Sequence, residues 1–266
     1  MYRLFAAIFT YLFLIIPGYA QDSPEQRLAA AVRIKTISYQ DRSRIDYQPF
    51  LQFHAFLRQS FPGVFAQLQV EVVNDYSLMF RWPGTDATEP GVLFTAHMDV
   101  VPVEPGTEED WQHPAFAGVV ADGRVYGRGT LDDKIGVMGI LEAAESLLAA
   151  GFQPRRTLVF AFGHDEEISG EQGAGKIAER MEELGWRFAW MVDEGGMLVT
   201  DNPLLPDELL AIVNVAEKGY QTLTLSASGE GGHSSRPPRI SSIGRLASAL
   251  ARIEANPFPT RLVPPV

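Results

Sequence analysis

From Val92 to Val192 the chain alternates short apolar runs with helical stretches, and few architectures accept that order. Val92–Thr95 is one continuous apolar run, followed by Ile135, Met138, Leu141, Ala144 and Leu148 at helical spacing between about Asp133 and Ala150. Thr157–Phe162 is the next run, Lys176–Leu184 the next helix and Phe188–Val192 the run after it. Strands that are apolar along their whole length are buried on both faces, and helices between them return the chain for parallel pairing. The predicted class is α/β, with a mainly parallel central sheet and helices on both faces. Gly151 and Gly185 stand where two of the helices should close.

Outside that stretch the signals are local. Ser23-Pro24-Glu25-Gln26 reads as a helix start, with Ser as N-cap, and predicts a helix to about Thr36. A second helix from about Asp46 carries Phe50, Phe53, Phe56 and Leu57, and Pro62-Gly63 is expected to end it. Leu68–Val73 and Leu78–Trp82 read as strands around a turn at Asn74-Asp75. Near Ala216 the pattern changes. Tyr220–Ser226 alternates like a half-buried antiparallel strand, and Ile243, Leu246, Leu250 and Ile253 mark a helix over Ser241–Ala255. One strand and one helix are too few for a separate sheet domain, so the chain reads as cut short.

Chemistry collects at the strand ends. In open α/β sheets ligands bind outside the carboxyl ends of the strands. His97 and Asp99 follow the first apolar run, Glu166 and Glu167 follow Thr157–Phe162, and Asp193-Glu194 follow Phe188–Val192. Asp132-Asp133 precedes the long helix. One imidazole and several carboxylates suit zinc. A carboxylate shared by two ions is how two-metal sites clamp a nucleophilic water. Gly127-Arg128-Gly129 lacks the Gly-Lys-Ser/Thr ending of a phosphate loop.

A formal charge of −11 argues against a basic face for nucleic acid, so no nucleic-acid partner is expected. Residues 1–20 carry one charge, Arg3, then an apolar run, then Gly18-Tyr19-Ala20 with small residues at the −3 and −1 positions. That is a secretory signal pattern, too short for a comfortable membrane span, and it predicts a secreted or periplasmic protein, with an uncleaved anchor as the alternative. Cysteine is absent, so neither disulfide nor thiolate contributes.

Thr95-Ala96-His97-Met98-Asp99-Val100-Val101-Pro102 resembles the first signature of the aminoacylase/carboxypeptidase family of two-zinc metallopeptidases, and Gly127–Lys134 resembles its second. Glu166-Glu167, Asp193 and Gly231-Gly232-His233-Ser234-Ser235 fall in the family's order. Trp111-Gln112-His113-Pro114 and Gly163–Glu167 are most similar to the branch holding carboxypeptidase S and the secreted N-fatty-acyl-amino-acid synthase/hydrolases. The resemblance implies that Asp132 bridges two zinc ions, that His97 and Asp193 complete one site and that Glu167 belongs to the other. It makes Glu166 the general base, Asp99 the group that orients His97, and His233 a lid histidine that steadies the oxyanion. It implies an often cis Asp132–Asp133 peptide and a homodimer through the lid of a full-length form. Cobalt or manganese could occupy the same ligands.

The expected organisation is then a signal peptide over 1–20, a zinc-dependent catalytic domain over 21–215 lacking its C-terminal part, and the start of an α+β lid over 216–266. The family pattern has a further histidine ligand after the lid, whereas the last histidine here is His233. The leading expectation is hydrolysis of a peptide or N-acyl amino acid with a free carboxylate. A non-catalytic, metal-binding remnant of the same fold is the alternative, and an unrelated two-metal aminopeptidase, which would need a free amine, is the third.

Overall fold

In the computed structural model the described residues are 22–260, except 201, 204, 207, 217, 218 and 220. The expected signal peptide lies outside them. The chain divides into two units, one up to Glu194 and one from Gly195.

The first unit opens with helix α1, Pro24–Arg33, closed at its start by a full capping box: Ser23 Oγ accepts the Gln26 N–H, and Gln26 Oε1 accepts the Ser23 N–H. Helix α2 spans Gln48–Ser60 and α3 Pro62–Gln67. Pro62 therefore does more than end a helix. Its missing N–H and fixed φ suit a first turn, so it starts the next one. Strands β1, Gln69–Val73, and β2, Ser77–Trp82, form a hairpin whose turn residues Asn74 and Asp75 both have positive φ. Strand β3 is Gly91–His97. A small ribbon pairs β4, Val119–Ala121, with β5, Arg124–Tyr126. Helix α4, Lys134–Ala149, leads to β6, Leu158–Gly163. Helix α5, Ala174–Glu183, leads to β7, Phe188–Val192.

The sheet order is β1-β2-β6-β3-β7. Both β3–β6 and β3–β7 are parallel, while β2 runs against both of its neighbours, so the other four strands share one direction. Strand β6 shows why two helical layers are needed. Phe160 and Phe162 face the cluster of Phe53, Leu57, Phe80, Met98 and Leu141, while Val159 and Ala161 face Met79, Leu93, Ile177 and Met181 on the other side. Because β6, β3 and β7 are parallel neighbours, their carboxyl ends lie along one rim. His97 ends β3, His164–Glu167 follow β6, and Asp193-Glu194 follow β7.

The second unit contains the hairpin β8, Met197–Val199, with β9, Leu210–Ile212, and helix α6, Ser242–Glu254, capped by Ser241 Oγ. The strand expected over Tyr220–Ser226 is not formed at 221–226, and Tyr220 lies outside the described residues. Alternation creates a face to bury, but a strand exists only with a partner ladder, and Leu223 remains 69% exposed. Helix α6 forms because its hydrogen bonds are internal, although Ile243, Leu250 and Ile253 are exposed.

Candidate active site

His97 is the centre of the rim. Its position at the end of a buried strand leaves it 2% exposed, and its two ring nitrogens face different surroundings. Nδ1 lies 3.0 Å from the Asp99 carbonyl and 3.3 Å from Asp99 Oδ1. Nε2 lies 2.8 Å from Asp132 Oδ1, 3.5 Å from Glu194 Oε2 and 3.7 Å from Glu166 Oε2. Acceptors around Nδ1 hold a proton there, so that a cation displacing the second proton would meet the lone pair of Nε2.

Asp99 is wholly buried and serves a second segment as well. Its two oxygens accept the backbone N–H groups of Glu166 (3.0 Å) and Glu167 (3.2 Å), so one carboxylate sets both the imidazole and the short 3-10 turn Glu166–Ile168. Glu167 Oε1 accepts the Val101 N–H at 3.2 Å. Asp165 anchors the same turn from behind, accepting the N–H groups of Gln172 and Gly173 and an ion pair from Arg42 at 3.0 Å. His164 is buried too, with Nδ1 2.7 Å from Ser77 Oγ, and its ring meets Tyr47, Phe50 and Tyr76. Burial lowers its pKa, so it acts as a neutral packing and orienting group.

Asp132 and Asp133 are joined by a cis peptide bond and divide their work. Asp132 turns outward to the rim. Asp133 is the N-cap of α4, accepting the Gly136 N–H at 3.2 Å, while its other oxygen accepts the His97 N–H at 3.3 Å. Gly136 leaves room for this: a Cβ there would stand 2.5 Å from Asp133 Oδ1.

The crowding shows in the titration of these groups. Burial opposes a charge on His97, yet the Asp99 and Glu194 carboxylates hold its proton up to about 12. Burial, with Asp132 nearby, pushes Glu167 up to about 7. Burial and Glu194 push Asp133 up to about 7, and burial raises Glu166 in the same direction. Carboxylates this close to one another repel unless a proton or a cation lies among them.

Ligand atoms of His97, Asp132 and Glu194 all lie within 4.8 Å of one another. A nitrogen and two carboxylate oxygens at that spacing fit a divalent cation such as zinc. The third member is Glu194. Asp193 is not one of the three, and its Oδ1 accepts the Glu194 N–H at 3.0 Å. The pair Asp193-Glu194 is legible in the sequence, but which of the two faces His97 depends on the local backbone after β7. His233 belongs to the second unit, where it is exposed and its Nδ1 accepts the Ser235 N–H. His113 packs its ring 4.7 Å from that of Tyr126, and His54 Nε2 lies 2.8 Å from the Tyr76 carbonyl, so both are structural.

Comparison with known proteins places the chain in a family. A carboxypeptidase S-like protein of Dictyostelium discoideum, described as probable, is 43% identical over 238 residues, covering 87% of this chain and 45% of that protein. An N-fatty-acyl-amino acid synthase/hydrolase of Danio rerio is 43% identical over 249 residues, covering 91% and 48%. The chain thus spans about half the length of the curated relatives it matches. Human carnosine dipeptidase 1 shares the fold, with a TM-score of 0.53 and 22% identity over 68% of this chain and 39% of that one. Residues 93–259, which include every rim group described above, match peptidase family M20/M25/M40, and the chain belongs to that family.

Proposed function

We propose that this chain carries the catalytic part of a zinc-dependent amidohydrolase that cleaves a peptide or an N-acyl amino acid with a free carboxylate. One observation carries the reading: Glu166 Oε2 stands 3.7 Å from the same His97 Nε2 that faces Asp132 and Glu194. A pure metal-binding site has no use for a general base at that position. The names of the relatives, a carboxypeptidase S-like protein and an N-fatty-acyl-amino acid synthase/hydrolase, support the substrate class.

His97, Asp132 and either Glu194 or Asp193 would hold one ion, and Asp132 with Glu167 would contribute to a second. Bound zinc polarises a carbonyl and makes water a nucleophile near neutral pH. Glu166 takes the proton from the attacking water and delivers it to the departing amine nitrogen. Its raised pKa suits a group that must both accept and release a proton. Asp99 keeps His97 and the Glu166–Ile168 turn in register. His233 would steady the oxyanion. Residues 1–20 would direct export, and the protein would dimerise through the lid.

The test joins two measurements on residues 21–266: metal content after dialysis against trace zinc, and hydrolysis of N-acyl amino acids. Bound zinc with hydrolysis, and a loss of about 100-fold or more in Glu166→Gln at unchanged metal content, is the expected result. Metal without hydrolysis would establish the second reading, a metal-binding domain without catalysis. That reading is favoured by the fact that only one metal-competent trio gathers among the described residues.

A further inference from the structure

The turn that carries Glu166 is held between two buried carboxylates. On one side Asp99 accepts the Glu166 and Glu167 N–H groups. On the other is Asp165, 1% exposed and directly before Glu166. Its Oδ1 accepts the Gly173 N–H at 2.7 Å, and its Oδ2 accepts the Gln172 N–H at 2.9 Å and a guanidinium N–H of Arg42 at 3.0 Å. Its carbonyl accepts the N–H groups of Ile168 (3.2 Å) and Gly170 (2.8 Å). The seat is close: a Cβ on Gly173 would stand 2.6 Å from Asp165 Oδ1. A buried carboxylate needs a cation or several donors, and Arg42 makes the only ion pair that Asp165 has among the described residues.

Arg42 comes from a segment fastened to both halves of the site. Before it, Ile37 bridges to Val100, the Ser38 N–H donates to the Val100 carbonyl at 3.0 Å, and the Thr36 carbonyl accepts the Val100 N–H at 2.9 Å. Val100 adjoins Asp99. After it, Tyr47 stacks on Tyr76 with ring centres 4.4 Å apart and lies 6.4 Å from the His164 ring. The segment is thus tied beside Asp99 at one end and beside His164 at the other, and Arg42 reaches Asp165 between the two.

We propose that Arg42 is a positioning residue for the reaction: through Asp165 it fixes the Glu166 turn, and with it the approach of the Glu166 carboxylate to His97. The inference rests on the amidohydrolase reading above. The Glu166 side chain is half exposed, 3.7 Å from His97 Nε2, so its place is inherited from the backbone that carries it. A displacement of about 1 Å at such a group can cost on the order of 100-fold in rate.

The experiment compares the zinc-loaded protein with Arg42→Met, Arg42→Lys and Arg44→Met, using N-acetyl- and N-decanoyl-leucine. Arg42 is part-exposed, so its replacement empties no core. Arg42→Met should lower kcat about ten-fold, with KM within about two-fold and zinc content unchanged. Arg42→Lys should recover most of that loss, because a single guanidinium nitrogen meets Asp165. Arg44→Met should match the parent, since Arg44 lies in the same 3-10 turn but faces the Tyr39 ring. Added to Glu166→Gln, Arg42→Met should cost less than about two-fold more, because a residue that acts through Glu166 has nothing left to position. Hydrogen exchange over 164–173 should be faster in Arg42→Met. An unchanged kcat, a full further loss on top of Glu166→Gln, or an equal loss in Arg44→Met overturns the inference. If the parent hydrolyses neither compound, the amidohydrolase reading falls, and hydrogen exchange alone decides whether Arg42 holds the turn, unchanged exchange overturning that too.

Discussion

Asp99 illustrates how one side chain acquires several roles. Wholly buried, it faces Nδ1 of His97 and accepts two N–H groups from the turn that carries Glu166 and Glu167. Asp99→Asn replaces one of those acceptors by a donor. The expected outcome is zinc affinity weaker by about 10–100-fold, measured by chelator competition, with the fold intact by circular dichroism. Unchanged affinity would show that the turn is held without it. Lys134 offers a different case. Its ammonium is fully buried and donates to the carbonyls of Ala31 (2.9 Å) and Ile34 (2.5 Å) at the end of α1. Burial lowers its pKa to about 7, opposed by Asp99. An unfolded lysine keeps its proton to about 10.4, so the unfolded state binds more protons between those values. Stability relative to Lys134→Met should therefore rise as pH increases from 7 to 10, and denaturant melts across that range check the sign. A flat difference would mean that the two carbonyls keep the ammonium charged. The sequence marks His97, Asp99 and the acidic pairs, because their types and order are chemical signals. It does not mark Lys134 as buried, because burial of a lysine depends on carbonyls about one hundred residues away.

At the level of elements, local codes were legible wherever both partners of an interaction are close in sequence. The Ser23 capping box, the Asn74-Asp75 turn and the glycine closures at Gly151 and Gly185 all follow their expected chemistry. The alternating stretch around Thr222–Ser226 does not form a strand, since a ladder needs a second strand that alternation alone does not supply. The start of α4 joins local code to the site. Gly136→Ala would bring a Cβ to 2.5 Å from Asp133 Oδ1 and displace the carboxylate that caps the helix and holds the His97 N–H. Loss of a cap costs about 1 kcal/mol, while alanine gains about 0.8–1 kcal/mol over glycine within a helix. The melting temperature should scarcely move, while zinc affinity falls. Equal affinity of G136A and the parent in a chelator titration would mean that the cap and the rim are independent.

Across the whole first unit, a parallel arrangement of β6, β3 and β7 brings their carboxyl ends to one rim, and the resulting crowding links metal uptake to protons. Without a cation, His97 keeps its proton up to about 12 and Glu167 up to about 7. A metal ligand must be deprotonated, so binding expels these protons and affinity should increase as pH rises through 7. Calorimetry in buffers of different ionisation heat should show proton release at pH 6.5. Zinc binding without it would mean that these groups are not the ligands. The sequence by itself determined the α/β class, the family and the order of the chemical groups, since these reside in periodicity and residue type. Tertiary structure alone decided that Glu194 rather than Asp193 faces His97 and that Asp99 spans two segments. Those relations join residues distant in the chain, and their distances exist only once the sheet has formed.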